Sequence, residues 1–167
     1  SQKEAYQKAL DELEAESRRL ESVIRDLQSR TNPDDIPKAT GSFIWPVRGR
    51  ISSPFGRRVH PITGDVRNHS GIDIALPQGN PVRSAQSGRV IHSGWISGYG
   101  YTVIIDHGGG ISTLYGHNSA LLVRAGQSVV RGDVIARVGS TGVSSGPHVH
   151  FEVRQNGMAV NPMNWLP

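Results

Sequence analysis

The first 30 residues contain neither glycine nor proline, whereas all 20 glycines lie after residue 40. A chain divided this way cannot have one fold class throughout, because glycine and proline are the residues that interrupt helices. Residues 1–30 are rich in Glu, Lys, Arg, Gln and Leu, which predicts a single long helix. Within it Tyr6, Leu10, Leu13, Ser17, Leu20, Ile24 and Leu27 recur at spacings of four and three, and the other faces are charged. That heptad seam predicts a coiled-coil stalk able to self-associate or to engage a partner protein, with Ser17 as its weak position. A surface helix lying on its own domain is the other use of such a stripe. Residues 31–42, TNPDDIPKATGS, carry two prolines, an Asp pair and a glycine and read as a linker.

From residue 43 onward the pattern is of short β-branched stretches separated by glycine-rich turns. Strands are predicted at Val47–Ser52, Ile72–Ala75, Gly88–Ser93, Thr102–Asp106, Ser112–Tyr115, Val134–Val138 and Val149–Arg154. With no amphipathic helix between them, they predict a mainly antiparallel β domain over 43–167. No cysteine is present, so disulfides and thiolate chemistry are excluded and any metal site must use His, Asp or Glu. The chain opens inside the helical pattern without an apolar targeting core, so a targeting or membrane-anchoring segment is expected upstream. Residues 1–30 carry a net charge of −1 and residues 31–167 carry +5, which favours a polyanionic partner: nucleic acid, cell wall or membrane. No nucleic-acid-binding module is recognisable, and no nucleic-acid partner is expected.

Three histidine clusters carry the candidate chemistry. In Asn68-His69-Ser70-Gly71-Ile72-Asp73, a loop histidine and a strand aspartate flank a glycine that permits a sharp approach. In His148-Val149-His150-Phe151-Glu152, strand alternation puts His148, His150 and Glu152 on one face, with Val149, Phe151 and Val153 on the other. In Leu114-Tyr115-Gly116-His117-Asn118, a single histidine follows a short strand. A catalytic zinc takes three protein ligands and keeps a position for water, and two histidines with one aspartate meet that count. Alternation does not say which of His148 and His150 would bind metal. There is no H-E-x-x-H, G-x-S-x-G or P-loop pattern. Glu152 is the only glutamate after residue 30, which weakens a two-carboxylate glycosidase reading. His60 and His107 read as turn residues and His92 as solvent-facing. Tyr99, Tyr101, Ser140–Thr141 and Ser144–Ser145 are candidates for lining a peptide groove.

Six stretches in order carry a resemblance: Ser53-Pro-Phe-Gly-Arg57, His69-Ser-Gly-Ile-Asp73, Gly98-Tyr-Gly100, Ile105-Asp-His-Gly108, Leu114-Tyr-Gly-His117 and Gly146-Pro-His-Val-His-Phe-Glu152. From about Phe43 to Pro167 the chain resembles the LytM/lysostaphin-type zinc endopeptidases of peptidoglycan. The resemblance implies a lysostaphin-like open barrel or sandwich of antiparallel sheets, and zinc held by His69, Asp73 and His150. It implies His117 and His148 as catalytic histidines, one a general base and the other a transition-state stabiliser. It further implies hydrolysis of stem-peptide or cross-bridge amides, with peptidoglycan as partner and an extracytoplasmic location in periplasm or cell wall. The family also includes members without the metal residues that activate other wall hydrolases; this chain keeps all five positions.

Overall fold

The computed structural model describes residues 1–167. One helix, α1 (Gln2–Ser29), precedes thirteen strands. In chain order these are β1 (Arg50–Ser53), β2 (Gly56–Val59), β3 (Val66–His69), β4 (Ile72–Ala75), β5 (Pro81–Arg83), β6 (Gly88–Ile96) and β7 (Gly100–Gly108). They continue with β8 (Ile111–Asn118), β9 (Ala120–Leu121), β10 (Ser128–Val129), β11 (Val134–Arg137), β12 (His148–Gln155) and β13 (Met158–Val160). The eight-stranded main sheet runs β1-β4-β12-β8-β7-β6-β10, with β13 paired to β12. A three-stranded sheet, β5-β11-β9, and the β2–β3 hairpin complete an all-antiparallel, unclosed assembly. All seven strands expected from sequence are present. The additional ones are two to four residues long, too short for an alternation pattern to register.

Alternation gives the main sheet two buried faces. Ile72, Ile74, Val103, Ile105, Tyr115, Val149, Phe151 and Val153 point to one side and pack with Val82, Ile135 and Ala136 of the small sheet. Ile104 and Leu114 point to the other side, where with Ile96 and Tyr99 they meet Leu20 and Ile24 of α1. The heptad seam expected to pair in a coiled coil therefore lies on the chain's own β domain. None of Tyr6, Leu10, Leu13, Ser17, Leu20, Ile24 and Leu27 is exposed. A sheet with apolar residues on both faces needs a second cover, and α1 supplies it. Polar contacts reinforce the docking: the Arg67 guanidinium reaches Asp11 at 2.5 Å and Glu14 at 3.4 Å, and the main-chain N–H of Asn68 donates to Glu14 at 2.9 Å. Leu20 and Ile24 are at most 1% exposed. Truncation of either to alanine should cost about 2–5 kcal/mol.

His107 is a correction. It lies within strand β7, one residue before its end, rather than in a turn, and both its ring nitrogens are engaged. Nδ1–H donates to the Ser87 carbonyl at 2.8 Å. Nε2 then accepts from the Thr113 hydroxyl at 2.7 Å, which in turn accepts from Tyr115 at 2.7 Å. Burial pushes its pKa down to about 4. The unfolded chain binds the proton more readily, so this contribution to stability is complete above pH ~6.5 and is lost as the pH falls towards 4.

Two measurements check these assignments. Ile24→Ala should lower the unfolding free energy by about 2–5 kcal/mol in a denaturant titration. The parent should lose more melting temperature between pH 7 and pH 5 than His107→Gln does, by at least about 2–4 °C. Equal losses would remove His107 from the acid sensitivity.

Candidate active site

The site is built on the α1-facing side of β4, β12 and β8. Register places Asp73 of β4 directly opposite His150 of β12, and His150 opposite Gly116 of β8. His117 follows Gly116, and His148 lies two residues before His150 on the same face. His69 ends β3, and the turn from it into β4 passes Gly71. A Cβ on Gly71 would collide with the Phe151 carbonyl oxygen, so only glycine lets the loop press against β12 here. This is the physical content of the glycine between His69 and Asp73.

Asp73 Oδ1 is the hub. It lies 2.9 Å from His150 Nδ1, 3.3 Å from His69 Nε2 and 3.7 Å from His148 Nε2. One donor atom from each of His69, Asp73 and His150 falls within 4.8 Å of the others. Donors each ~2.0–2.1 Å from a tetrahedral ion would sit roughly 3.3 Å apart, so two imidazoles and a carboxylate at these spacings fit zinc in both chemistry and reach. Burial pushes Asp73 up, but the His150 and His69 imidazoles beside it outweigh this and hold the carboxyl well below its ordinary range. Burial pushes His150 down, yet Asp73 and Glu152 on its two sides raise it to about 9. A ligating imidazole must be neutral, so a cation among these donors takes the place of that proton.

The imidazoles are oriented one by one. His69 Nδ1–H donates to the Pro54 carbonyl at 2.8 Å, His148 Nδ1–H to Gly146 at 2.8 Å and His117 Nδ1–H to Thr141 at 2.6 Å. All three therefore carry their proton away from the site and leave Nε2 free. The His117 and His148 rings pack at a tilt of 51° with centroids 4.6 Å apart. Burial, with His148 and His150 beside it, pushes His117 down to about 3. His117 also has φ of 64°, a left-handed backbone that a non-glycine residue adopts at a cost.

The five residues expected from sequence are thus brought together. His60 borders the same cavity without belonging to the three-donor group: its Nδ1 accepts from the main-chain N–H groups of Ile62 and Thr63 and braces the β2–β3 turn. His92 is half-buried on β6 rather than solvent-facing. Tyr99 is corrected: it is 1% exposed and donates to Glu152 at 2.7 Å, so it supports the site from beneath instead of lining a groove. Tyr101 packs edge-on against the exposed Trp95, while Ser144 and Ser145 do border the site cavity. The sequence places the helix but not its position at the site. Tyr6, Leu10, Leu13, Glu14 and Ser17 wall the same cavity of about 220 Å³ that contains His69, Asp73, His117, His148 and His150.

Residues 67–162 match the model of peptidase family M23. The chain is 52% identical over 118 residues to the DD-carboxypeptidase/endopeptidase Mpg of Neisseria meningitidis serogroup B, covering 71% of this chain and 27% of that protein. It is 39% identical over 142 residues to the murein hydrolase activator EnvC of Escherichia coli K12, covering 85% of this chain and 32% of the activator. The chain thus spans about a third or less of these curated relatives. Among solved structures, a zinc-containing peptidase from Vibrio cholerae superposes with a TM-score of 0.66 at 39% identity, over 74% of this chain and 40% of that one. With its family model matched from the β2–β3 hairpin to the end of the main sheet, the chain belongs to peptidase family M23.

Proposed function

We propose that the chain is a zinc-dependent endopeptidase that hydrolyses peptide cross-links in peptidoglycan, with His69, Asp73 and His150 as metal ligands. The observation that carries the reading is the convergence of those three donors beside two further imidazoles with free Nε2 atoms. Zinc held there would supply Lewis acidity, polarising the scissile carbonyl and lowering the pKa of water to about 7. The protein's own part is positional. His117 and His148 point Nε2 at the reacting centre, one placed to accept a proton from water and the other, when protonated at Nε2, to donate a hydrogen bond to the developing oxyanion. Anchoring of each Nδ1–H on a main-chain carbonyl fixes the tautomer, so no reorientation is needed when the proton moves. The resemblance to a DD-carboxypeptidase/endopeptidase supports cross-link amides as substrate and an extracytoplasmic location. The basic balance of residues 31–167 suits an anionic wall. No helix is long and apolar enough to cross a membrane.

A second reading, an activator of other wall hydrolases, is favoured by one observation: α1 forms a wall of the site cavity and restricts it. Similarity to the activator EnvC supports it equally.

Digestion of purified cross-linked peptidoglycan, read by mass spectrometry, separates the two. Cleavage should be abolished by a chelator and restored by zinc. Asp73→Ala should lose both zinc and activity. His117→Ala should keep zinc and lose about 10²–10⁴ in rate. A chain that leaves the wall intact with zinc supplied, yet stimulates a second hydrolase, would assign it to the activator reading.

A further inference from the structure

Three of the four site imidazoles are held by main-chain carbonyls; His150 is the exception. Its outward nitrogen, Nε2, is 2.8 Å from Glu152 Oε2. Glu152 is 0% exposed, and the same oxygen accepts from Ser70 Oγ at 2.6 Å and Tyr99 Oη at 2.7 Å. Its other oxygen accepts from Arg154 Nε at 2.7 Å. Arg154, 1% exposed, spends its remaining donors on the Gly157 carbonyl at 2.9 Å and on Ser17 of α1, the carbonyl at 3.1 Å and the hydroxyl at 3.0 Å.

We infer that Glu152 is a positioning residue for the metal ligand His150, held in register by Arg154 and, through it, by α1. The inference rests on the zinc-peptidase reading and extends it to a carboxylate outside the ligand set. As a stabilising device alone, a fully buried Glu–Arg pair is no better than apolar side chains of the same volume. Its value lies in what it does to the ring. A carboxylate on Nε2 fixes the tautomer that leaves Nδ1 free for a cation, stops the ring turning about χ2, and raises the basicity of the ligating nitrogen. Ser70, Tyr99 and Arg154 all donate to Glu152, so its carboxylate serves as the acceptor. Ser70, beside the ligand His69, ties the same carboxylate to the other side of the site.

The test is zinc affinity, measured by competition with a chromophoric chelator, beside the melting temperature of the zinc-free protein. Glu152→Gln alone would leave the Arg154 charge buried without its partner, so the deciding variant is the double Glu152→Gln/Arg154→Met, which removes both charges. Its zinc-free form should remain folded by circular dichroism, while its zinc dissociation constant rises about 10–100-fold. The visible spectrum of the cobalt-substituted protein should shift with it. Arg154→Lys on its own, which keeps Glu152 and a charge beside it, should retain most of the parent's affinity. A double variant that holds zinc as tightly as the parent, with an unchanged cobalt spectrum, overturns the role of Glu152. A parent chain that takes up no zinc overturns instead the function on which the inference rests.

Discussion

The antiparallel pairing of β4 with β12 is the constraint from which the site follows. Opposed residues in such a pair share a face, so Asp73 and His150 meet because their strands are in this register. A slip of β4 by one residue would send Asp73 into the apolar core and bring Ile72 and Ile74 out, and a slip of β12 would do the same to His150, Val149 and Phe151. Those residues are at most 1% exposed, so the slip is prohibitively unfavourable, and the register is set by the side of the sheet that does no chemistry. Gly71 adds a steric condition, since only its missing side chain lets the loop from His69 approach β12 closely.

The same alternation creates a problem on the other face. His148, His150, Glu152 and Arg154 form a polar row, and most of it is buried. Charges out of water are tolerated only when every donor and acceptor is matched. The row is matched partly within the sheet, through Ser70 and Tyr99, and partly by α1, whose Ser17 takes two of the Arg154 bonds. Ser17, which interrupts the apolar seam, is thus where the helix meets the charged end of the row.

Much of this was legible in sequence because it depends on local pattern. The Gly/Pro-free opening gave the helix, and β-branched runs gave the long strands. Alternation along His148–Glu152 gave the two-faced strand, and the three histidine clusters gave the five site residues. The partner of the heptad seam was not legible, because an apolar stripe of this width fits a second helix or a sheet face equally well, and only the second apolar face of β7 and β8 decides between them. Continuing the alternation two residues would have placed Arg154 beside Glu152. His107 was misread because a histidine before three glycines has the composition of a turn, while its partners are Ser87, just before β6, and Thr113 of β8. The left-handed backbone of His117 left no trace, since strain of that kind is imposed by tertiary contacts.

The two halves of α1 are held differently, and this bears on how the site is enclosed. Leu20 and Ile24 sit in an apolar cluster with Ile96, Tyr99, Ile104 and Leu114, so the C-terminal half is fixed by burial. The N-terminal half carries the cavity-lining residues Tyr6, Leu10, Leu13 and Glu14, and its main polar anchor is Arg67 with Asp11 and Glu14. Asp11 is 69% exposed, but the Arg67 side chain is only 8% exposed and also donates to the Gln7 carbonyl at 3.1 Å, so lifting this half would leave a buried guanidinium without its partners. Ser17 lies at the junction. Widening the cavity along Tyr6–Glu14 would break the Arg67 contacts and uncover Leu10, while Ser17, Leu20 and Ile24 keep the Glu152–Arg154 row covered. The fold thus separates the part of the helix that borders the cavity from the part that keeps the Glu152–Arg154 row matched.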